Sequence, residues 1–293
     1  MTQPRGSFDR LLNVGCGRCY HSDWTNIDLV ANGPEVRQYD LRRGLPYVDG
    51  SFDALYHSHV LEHLSPDDAR QMLLECRRVL RVGGVLRVVV PDLEGIARAY
   101  LQSIAAAEGG DEYAAANHRW MTLELIDQLA RQRGGGQMGL MMRDPDLMNR
   151  DFVQARIGGE MGEHRNARVK KTVVQRISRA VAGVRKQLAL LAVTMVDGSA
   201  GRVAYGEGRF RQSGEIHRWM YDRVSLAKLL QEVGFEQPRV CTAEESRITA
   251  FDSYQLDRDQ QQVARKPDSL YMEGVKTAVE HQTALPARSS KAA

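Results

Sequence analysis

The sequence lacks the features that mark several large classes of protein. It contains no run of about 18 apolar residues, so no segment is expected to span a membrane. The opening residues, MTQPRGSFDR, have no apolar centre of the kind that a signal peptide needs. Only four cysteines occur, and without a secretion signal they are expected to stay reduced. Together these absences predict a cytoplasmic protein.

Metal-binding and redox cysteine motifs are scarce as well. Cys16 and Cys19 have C-x-x-C spacing, but no second pair follows at the distance of a zinc site. The two remaining cysteines, Cys76 and Cys241, lie in apolar surroundings typical of a core. No cysteine-based metal or redox site is therefore predicted.

An excess of charge of one sign is also lacking over the whole chain. A net charge of +3 over 293 residues is too small to indicate nucleic-acid binding, and none is predicted. The exception is local: residues 165–186 carry eight Lys or Arg and no acid. This basic segment is consistent with peripheral contact with an anionic membrane or with a phosphorylated acceptor. A solvated helix face or a homodimer contact would explain it equally well.

What the sequence does contain is the alternation of an α/β protein. Continuous apolar runs predict buried strands of a parallel sheet at residues 10–14, 25–29, 36–39, 52–56 and 85–90. Before the last of them, Ser65 and Pro66 mark the start of a helix with one apolar stripe. Gly83-Gly84 is expected to end that helix. Strand, helix and strand in this order predict an α/β crossover.

The pattern changes after residue 100. Residues 101–214 show no clear strand and predict a mainly helical insertion. The α/β pattern then resumes, with a helix over 225–233 and extended segments at 237–242, 248–251 and 269–275. The chain is therefore divided into a first α/β half, an insertion that acts as a lid, the return of the α/β domain and a disordered tail, at residues 1–100, 101–214, 215–283 and 284–293.

A glycine turn and an acid follow the first two predicted strands. In LLNVGCGRCYHSDWTNIDL, Gly15 and Gly17 come directly after the first strand and Asp28 ends the second. Such a turn lets a ligand approach backbone N–H groups closely, and the acid can accept hydrogen bonds from ribose hydroxyls. Dinucleotide sites have a third glycine, where this chain has Tyr20. The pattern favours a cofactor with a ribose and no pyrophosphate, such as S-adenosylmethionine.

Four motifs then follow one another in a familiar order. They are NVGCG at 13–17, DGSFD at 49–53, VLEHL at 60–64 and RVLRVGG at 78–84. In this order they resemble the class I S-adenosylmethionine-dependent methyltransferases of the type-11 group. The resemblance covers about residues 8–100 and, more loosely, 215–276. It implies a Rossmann-like, doubly wound sheet, a methyltransferase activity and S-adenosylmethionine as the cofactor.

The resemblance implies a set of residues on the ribose side of the cofactor. Gly15, Cys16 and Gly17 would pass the methionine and ribose portions, and Asp28 would bind the ribose hydroxyls. The interval from Gly17 to Asp28 is shorter than is usual in the family. The first helix is therefore expected to be nearly absent.

Further positions are implied at the two ends of the cofactor. Leu29 would lie against the adenine, and Asp40-Leu41 would meet its amino group. His57 and Ser58, just past the fourth strand, would flank the methionine end. These five residues complete the predicted cofactor site.

Histidines are the candidate catalytic residues. Methyl transfer depends largely on positioning, but a hydroxyl acceptor must also lose a proton, and histidine titrates near neutral pH. His59 lies beside the predicted methionine end, and His217 lies where the chain returns from the insertion, so both are predicted to be catalytic. His63 is interpreted as mainly structural. His57, His59 and His63 could bind a metal, but with no carboxylate triad evident none is predicted.

The acceptor follows only from a finer resemblance. The stretches YHSHVLEHL, HSDWTNIDL and RKPDSLYMEGVK resemble a bacterial subgroup associated with polysaccharide and lipopolysaccharide glycan synthesis. That resemblance implies O-methylation of a sugar hydroxyl in a glycan or saccharide precursor. Two alternatives remain: an N-methyltransferase acting on a small amine, and a non-catalytic assembly partner that binds the cofactor.

Overall fold

The computed structural model describes residues 8–159, 161 and 173–278, without the side chains of 173–182. Its strands are β1 Leu11–Val14, β2 Trp24–Asp28, β3 Val36–Gln38, β4 Phe52–Ser58, β5 Leu80–Pro91, β6 Phe235–Cys241 and β7 Ser269–Lys276. They form one sheet in the order β3-β2-β1-β4-β5-β7-β6. β7 runs antiparallel to both of its neighbours, and the other pairs are parallel. This is the Rossmann-like α/β fold of class I methyltransferases, as predicted.

Helices make up most of the remaining described structure. They are α1 Pro66–Val79, α2 Leu93–Ala107, α3 Glu112–Ala130, α4 Gly136–Met142, α5 Arg150–Ile157, α6 Val173–Arg211 and α7 Arg223–Glu232. Short 3-10 turns lie at Leu41–Arg43, Leu61–His63 and Phe251–Tyr254. Within 101–214 the described residues form helices and no strand, and α2 continues through residue 100. Among the described helices, none combines the length and the apolar character needed to cross a bilayer.

The start of α1 follows from its first residues. The Ser65 side chain accepts a hydrogen bond from the Asp68 N–H, Pro66 occupies the first turn, and acidic residues follow at the positive end of the helix dipole. The buried side of α1 carries Leu73 and Cys76. These residues pack the helix against the sheet.

The core has two layers because successive strand residues point to opposite faces of a sheet. On one face, residues such as Leu12 and Leu55 pack against α1 and α7. On the other, Leu11 and Tyr56 pack against residues 243–256. No helix lies between β1 and β2 among the described residues, which confirms that the first helix is absent. The segment 243–256 covers the sheet in its place.

Two local predictions are wrong. Helix α1 ends at Val79 and passes directly into β5, so Gly83 and Gly84 lie inside the strand. A Cβ on Gly84 would come within 2.8 Å of the Arg81 carbonyl oxygen and 3.1 Å of that of Asp53, so glycine allows close backbone approach. Residues 248–251 form a bend that leads into a 3-10 turn instead of a strand, because their buried side chains pack onto the sheet face.

Some predictions concern residues that the structure does not describe. The predicted tail, 284–293, lies outside the described residues, as does most of the basic segment 165–186. Of that segment's cations, Arg185 and Lys186 have described side chains, and both are exposed.

Candidate active site

A cavity of about 560 Å³ opens where β1, β2 and β4 end. These are the carboxyl ends of parallel strands, the edge at which α/β sheets bind ligands. One side of the cavity is formed by predicted cofactor residues: Gly15, Cys16, Gly17, Asp28, Leu29, Leu41 and Ser58. The other side includes His59, His63, Asp257, Arg265 and Lys266. The first set is called the cofactor half below, and the second the acceptor half.

The glycine turn has the geometry that close ligand approach requires. Gly15 has a φ of 65°, and its N–H donates to the Ile27 carbonyl at 2.8 Å, which ties the turn to β2. A Cβ on Gly15 would overlap the Val60 side chain. Gly17 has a φ of 56°, and a Cβ there would meet nothing within 4 Å. Both positions thus favour glycine, the first by contact and both by backbone conformation.

Asp28 is held in place before any ligand arrives. Its Oδ2 accepts from the Gly17 N–H at 2.9 Å, and its Oδ1 accepts from the Val30 N–H at 2.8 Å. An ionised carboxylate has about four acceptor sites. Each oxygen therefore keeps capacity for a further donor, such as one of two neighbouring ribose hydroxyls.

Two predicted cofactor residues do not line the cavity. Asp40 caps the turn at Leu41–Arg43 and pairs with Arg42 at 2.7 Å, and the hydrogen bond from Arg42 lowers the pKa of Asp40. His57 is completely buried within β4, where burial lowers its pKa to about 3. The structure therefore brings Leu41 and Ser58 to the cavity, but not Asp40 and His57, which precede them in the sequence.

Cys16 lines the cavity as an inert thiol. Burial, helped by the nearby Asp28 carboxylate, raises its pKa to about 12. At neutral pH it remains protonated, and a protonated thiol is neither a nucleophile nor a metal ligand. The sulfur of Cys19 lies 3.3 Å from the Leu256 carbonyl oxygen.

His59 lies at the junction of the two halves. It follows β4 with a φ of 54°, an uncommon backbone conformation for a residue other than glycine. Its Nδ1 lies 3.3 Å from Glu62 Oε1, and its Nε2 lies 2.9 Å from Ser269 Oγ. Burial, followed by the nearby Lys266, lowers its pKa well below the usual value, so the imidazole is neutral at pH 7. The two ring nitrogens therefore face the Glu62 carboxyl group and the Ser269 hydroxyl.

His63 and His217 lie together in the acceptor half. Their ring centroids are 4.8 Å apart with the planes at 82°. His63 lines the cavity, whereas His217 is buried behind it and does not. Burial and the neighbouring His63 lower the pKa of His217 to about 2. His63 was expected to be structural, yet it reaches the cavity and the predicted catalytic His217 does not.

A buried ion cluster supports the acceptor half from below. Arg87 of β5 donates to Asp257 at 2.7 Å and to Glu273 at 2.9 Å, and all three side chains are almost inaccessible. Tyr56 also donates its hydroxyl to Asp257 at 2.6 Å. Burial opposes the charge on Arg87, but the two carboxylates outweigh it and raise its pKa. Asp257 is therefore a fixed part of the cavity wall.

Sequence reasoning missed several cavity residues. The sequence could have indicated Glu62, which is buried next to the cavity, because it lies inside the VLEHL motif between His59 and His63. Asp257, Arg265 and Lys266 gave no comparable signal. They lie in an irregular segment about 200 residues from β4, and only tertiary packing brings them to the cavity.

Comparison with known proteins agrees with this geometry in one region. Residues 24–88 match the family model described as a methyltransferase domain, of type 11. The match begins at β2 and does not include Gly15 and Gly17. Their assignment to the cofactor stays a prediction, with which their backbone conformation is consistent. No curated protein matches the chain significantly.

Solved structures resemble the chain more distantly. The cyclase SpnF is 27% identical over 29% of this chain and 39% of its own, with a TM-score of 0.24. A SAM-dependent methyltransferase from Archaeoglobus fulgidus is 12% identical over 93% and 87%, with a TM-score of 0.38. A Burkholderia thailandensis N1-methyltransferase with bound S-adenosylhomocysteine is 22% identical over 29% and 46%, with a TM-score of 0.24. The chain thus spans well under half the length of the first. None of these scores decides fold or activity.

Strand order, glycine turn and family model agree with one another. Residues 24–88 match a methyltransferase domain, a kind of enzyme domain that takes its methyl group from S-adenosylmethionine. S-adenosylmethionine is therefore the cofactor, and the residues predicted to bind it line one half of the cavity.

Proposed function

We propose that the protein methylates a hydroxyl group of a sugar, in a glycan or saccharide precursor. The observation that carries the proposal is the position of His59 on the cavity wall, at the end of the strand that supplies Ser58. A hydroxyl must lose its proton as it attacks the methyl carbon, whereas a neutral amine needs only desolvation. A neutral imidazole at this point supports the oxygen acceptor.

His59 is proposed as the proton acceptor. Its Nε2 lies 2.9 Å from the hydroxyl oxygen of Ser269, so it already pairs with one hydroxyl group. An acceptor hydroxyl that replaced this bond would face the same nitrogen. Glu62, 3.3 Å from Nδ1, fixes the ring and would stabilise the positive charge that develops on it. His217 is proposed to act behind His63 instead of touching the acceptor.

The charge of the acceptor half supports an anionic sugar. Arg265 and Lys266 are adjacent in sequence, and both line the cavity. Asp257 is the carboxylate on this side of the described cavity wall, and it pairs with Arg87, which also pairs with Glu273. A uronic acid or a phosphorylated saccharide would complement this wall, in keeping with a role in polysaccharide synthesis in the cytoplasm. Nucleic acid is not proposed as a partner.

The helical insertion is proposed to close over the acceptor. Gly159, near the middle of the insertion, and Gly214, at its end, both line the cavity. A separate core holds the insertion together, with Trp120, Met121 and Val153 fully buried. This arrangement supports the proposal that the insertion acts as a lid, and domain boundaries near residues 100 and 214 remain part of that proposal.

The long helix α6 is proposed to pair with α6 of a second copy. Val184, Leu188, Leu191 and Met195 are between 57% and 83% exposed. They follow one another at intervals of four, three and four residues, the narrow seam of a coiled coil. An anionic membrane, which the basic segment favours, is the competing partner. Sedimentation of Leu188→Glu/Leu191→Glu against the control Val203→Glu, with and without anionic vesicles, separates the two.

Two other functions are not favoured. Methylation of a small amine would leave His59 and Glu62 without a task. A non-catalytic cofactor-binding partner would need neither these groups nor the cations of the acceptor half.

The proposed function is tested by measuring S-adenosylhomocysteine release over a panel of acceptors. We expect turnover with uronic acids or sugar phosphates, and weaker turnover with the matching neutral sugars. Histamine and simple amines serve as nitrogen acceptors of similar size. Release with amines alone would overturn the proposal. Binding of S-adenosylmethionine without release from any acceptor would favour the non-catalytic alternative.

A further inference from the structure

Three metal-ligating side chains meet at the back of the acceptor half. They are Glu62, His63 and His217, and one ligand atom from each lies within 4.8 Å of the other two. Glu62 and His217 are buried, and His63 reaches the cavity. Two imidazoles and a carboxylate are a common protein ligand set of catalytic zinc, in which a fourth position stays open for water or substrate.

The tautomer of His63 suits a ligand. Its Nδ1 lies 3.2 Å from the Ile216 carbonyl oxygen, and a carbonyl can only accept, so Nδ1 carries the proton. The neutral ring then has its lone pair on Nε2, which lies 3.9 Å from Glu62 Oε1. Metal-binding histidines commonly donate their other N–H to a backbone carbonyl in this way.

The ligand atoms, within 4.8 Å of one another, lie somewhat farther apart than they would around one small cation. Bond lengths of about 2.0–2.2 Å place two ligands of a tetrahedral zinc ion about 3.4 Å apart. The 3.9 Å between His63 and Glu62 exceeds this by half an ångström. Small side-chain rotations would close that gap and bring in the nearby His217.

The backbone fixes the two segments that supply the ligands. Glu62 and His63 belong to the 3-10 turn at Leu61–His63. The Arg218 and Trp219 N–H groups both donate to the Glu62 carbonyl, at 2.7 Å and 3.2 Å. His217 is thereby held against the turn although more than 150 residues separate them. Binding a cation needs little further ordering of the backbone.

One ligand of this cluster, His217, is deeply buried and has a ring nitrogen without a hydrogen-bond partner among the described residues. His217 is 97% buried, and its Nδ1 has no hydrogen-bond partner there. A buried polar atom without a partner costs free energy unless a ligand or water satisfies it. Burial also keeps the ring neutral, the form that binds metals.

We infer that Glu62, His63 and His217 form a site for a divalent transition metal of the zinc type. The ion would reach the cavity through His63, which lines it together with His59. The role of the ion rests on the proposed function. It would bind the acceptor oxygen and lower the pKa of that hydroxyl group, so that His59 receives the proton more readily. The choice of zinc follows from its preference for imidazole and carboxylate ligands.

The test is a binding titration that does not depend on turnover. Chelator-treated protein is titrated with Co²⁺, which reports tetrahedral coordination by its visible spectrum, and with Zn²⁺ by calorimetry. We expect one ion per chain. Loss of a partner in the outer shell already costs 10–100-fold in affinity, so His63→Ala, His217→Ala and Glu62→Gln should each bind at least about 100-fold more weakly.

His118→Ala is the matched control, because that ring is bonded to Ser103 in the insertion, away from the three ligands. It should bind Co²⁺ as the wild type does. Affinity for S-adenosylhomocysteine verifies that each variant is folded. Absence of saturable binding to the wild-type chain, or equal binding by the three variants, would overturn the site. Metal binding without sugar turnover would leave the site standing and refute the proposed acceptor; turnover without metal binding would do the reverse.

Discussion

The two halves of the cavity are built in different ways. The cofactor half comes from the last residues of β2 and β4 and from the turns after β1, β2 and β3, within residues 15–58. The acceptor half combines residues 59–63 with Gly214 and residues 256–266. A parallel sheet brings its strand ends together by topology alone, whereas the acceptor half depends on long-range packing. The cofactor half is therefore a property of the fold, and the acceptor half is a property of this chain.

The largest expected effect is a loss of turnover on replacing His59, with little change in cofactor affinity. Replacing His59 with Ala should lower turnover by roughly 10²–10⁴-fold, the usual contribution of a general base. Affinity for S-adenosylmethionine should change little, because His59 belongs to the acceptor half. Single-turnover kinetics and calorimetry measure the two quantities. His21→Ala is the control at a half-buried ring outside the cavity wall, and near-normal turnover of His59→Ala would remove histidine catalysis at this position.

The second effect concerns how the acceptor half is supported. Arg87→Met should destabilise the protein by about 3–5 kcal/mol, because it leaves Asp257 and Glu273 buried without their shared counterion. Urea unfolding measures this change. Arg10→Met removes the more exposed partner of Asp53 and should cost about 1 kcal/mol or less. Equal losses would show that the buried cluster has no special part in stability.

The third effect lies in the cofactor half. Asp28→Ala should weaken binding of S-adenosylmethionine by about 1.5–3 kcal/mol, the value of hydrogen bonds to a charged group. Turnover at saturating cofactor should fall much less than in His59→Ala. Asp23→Ala, an exposed acid near the same loop, is the matched control. Unchanged cofactor affinity in a folded Asp28→Ala protein would show that another group binds the ribose.

The smallest effect is a pH dependence that lies outside both halves. Burial of Asp53 opposes ionisation, but hydrogen bonds from Arg10 and Arg81 outweigh it and lower its pKa to about 2. A lowered folded pKa gives stability that is present above the unfolded value of 3.8 and lost as pH falls towards 2. The partly exposed arginines reduce the gain to about 1 kcal/mol. Acid unfolding of Asp53→Asn should lack this step, and an unchanged acid transition would contradict the assignment.

The same contrast explains how much could be predicted from the sequence. Local apolar patterns predict strands β1 to β5 and helix α1. The short interval from Gly17 to Asp28 predicts that the first helix is nearly absent. Gly15, Gly17 and Asp28 reach the cavity because the strands before them fix their positions. His57 fails to reach it because a strand alternates its side chains, and a shift of one residue reverses the direction. Local patterns do not fix that alternation at a strand end.

The residues of the acceptor half could not be predicted from local sequence patterns. Whether His63 or His217 faces the cavity depends on the backbone bonds from residues 218 and 219 to Glu62. Likewise, Gly83-Gly84 resembles the end of a helix in the sequence. In the structure Gly84 lets the backbone of β5 lie close to the carbonyl oxygens of Arg81 and Asp53. In each case the deciding contact joins residues far apart in sequence or on different elements.

The segment that covers the sheet in place of the first helix has an evolutionary consequence. Trp24 packs edge-on against Tyr56, Phe251 and Tyr254, so residues 243–256 belong to the core. The same stretch continues into Leu256 and Asp257 on the cavity wall. A mutation that reshapes this part of the wall also disturbs the core, so few such mutations would survive selection. New acceptor preferences should therefore arise at Gly214, Arg265 and Lys266, where the wall can vary while the core does not.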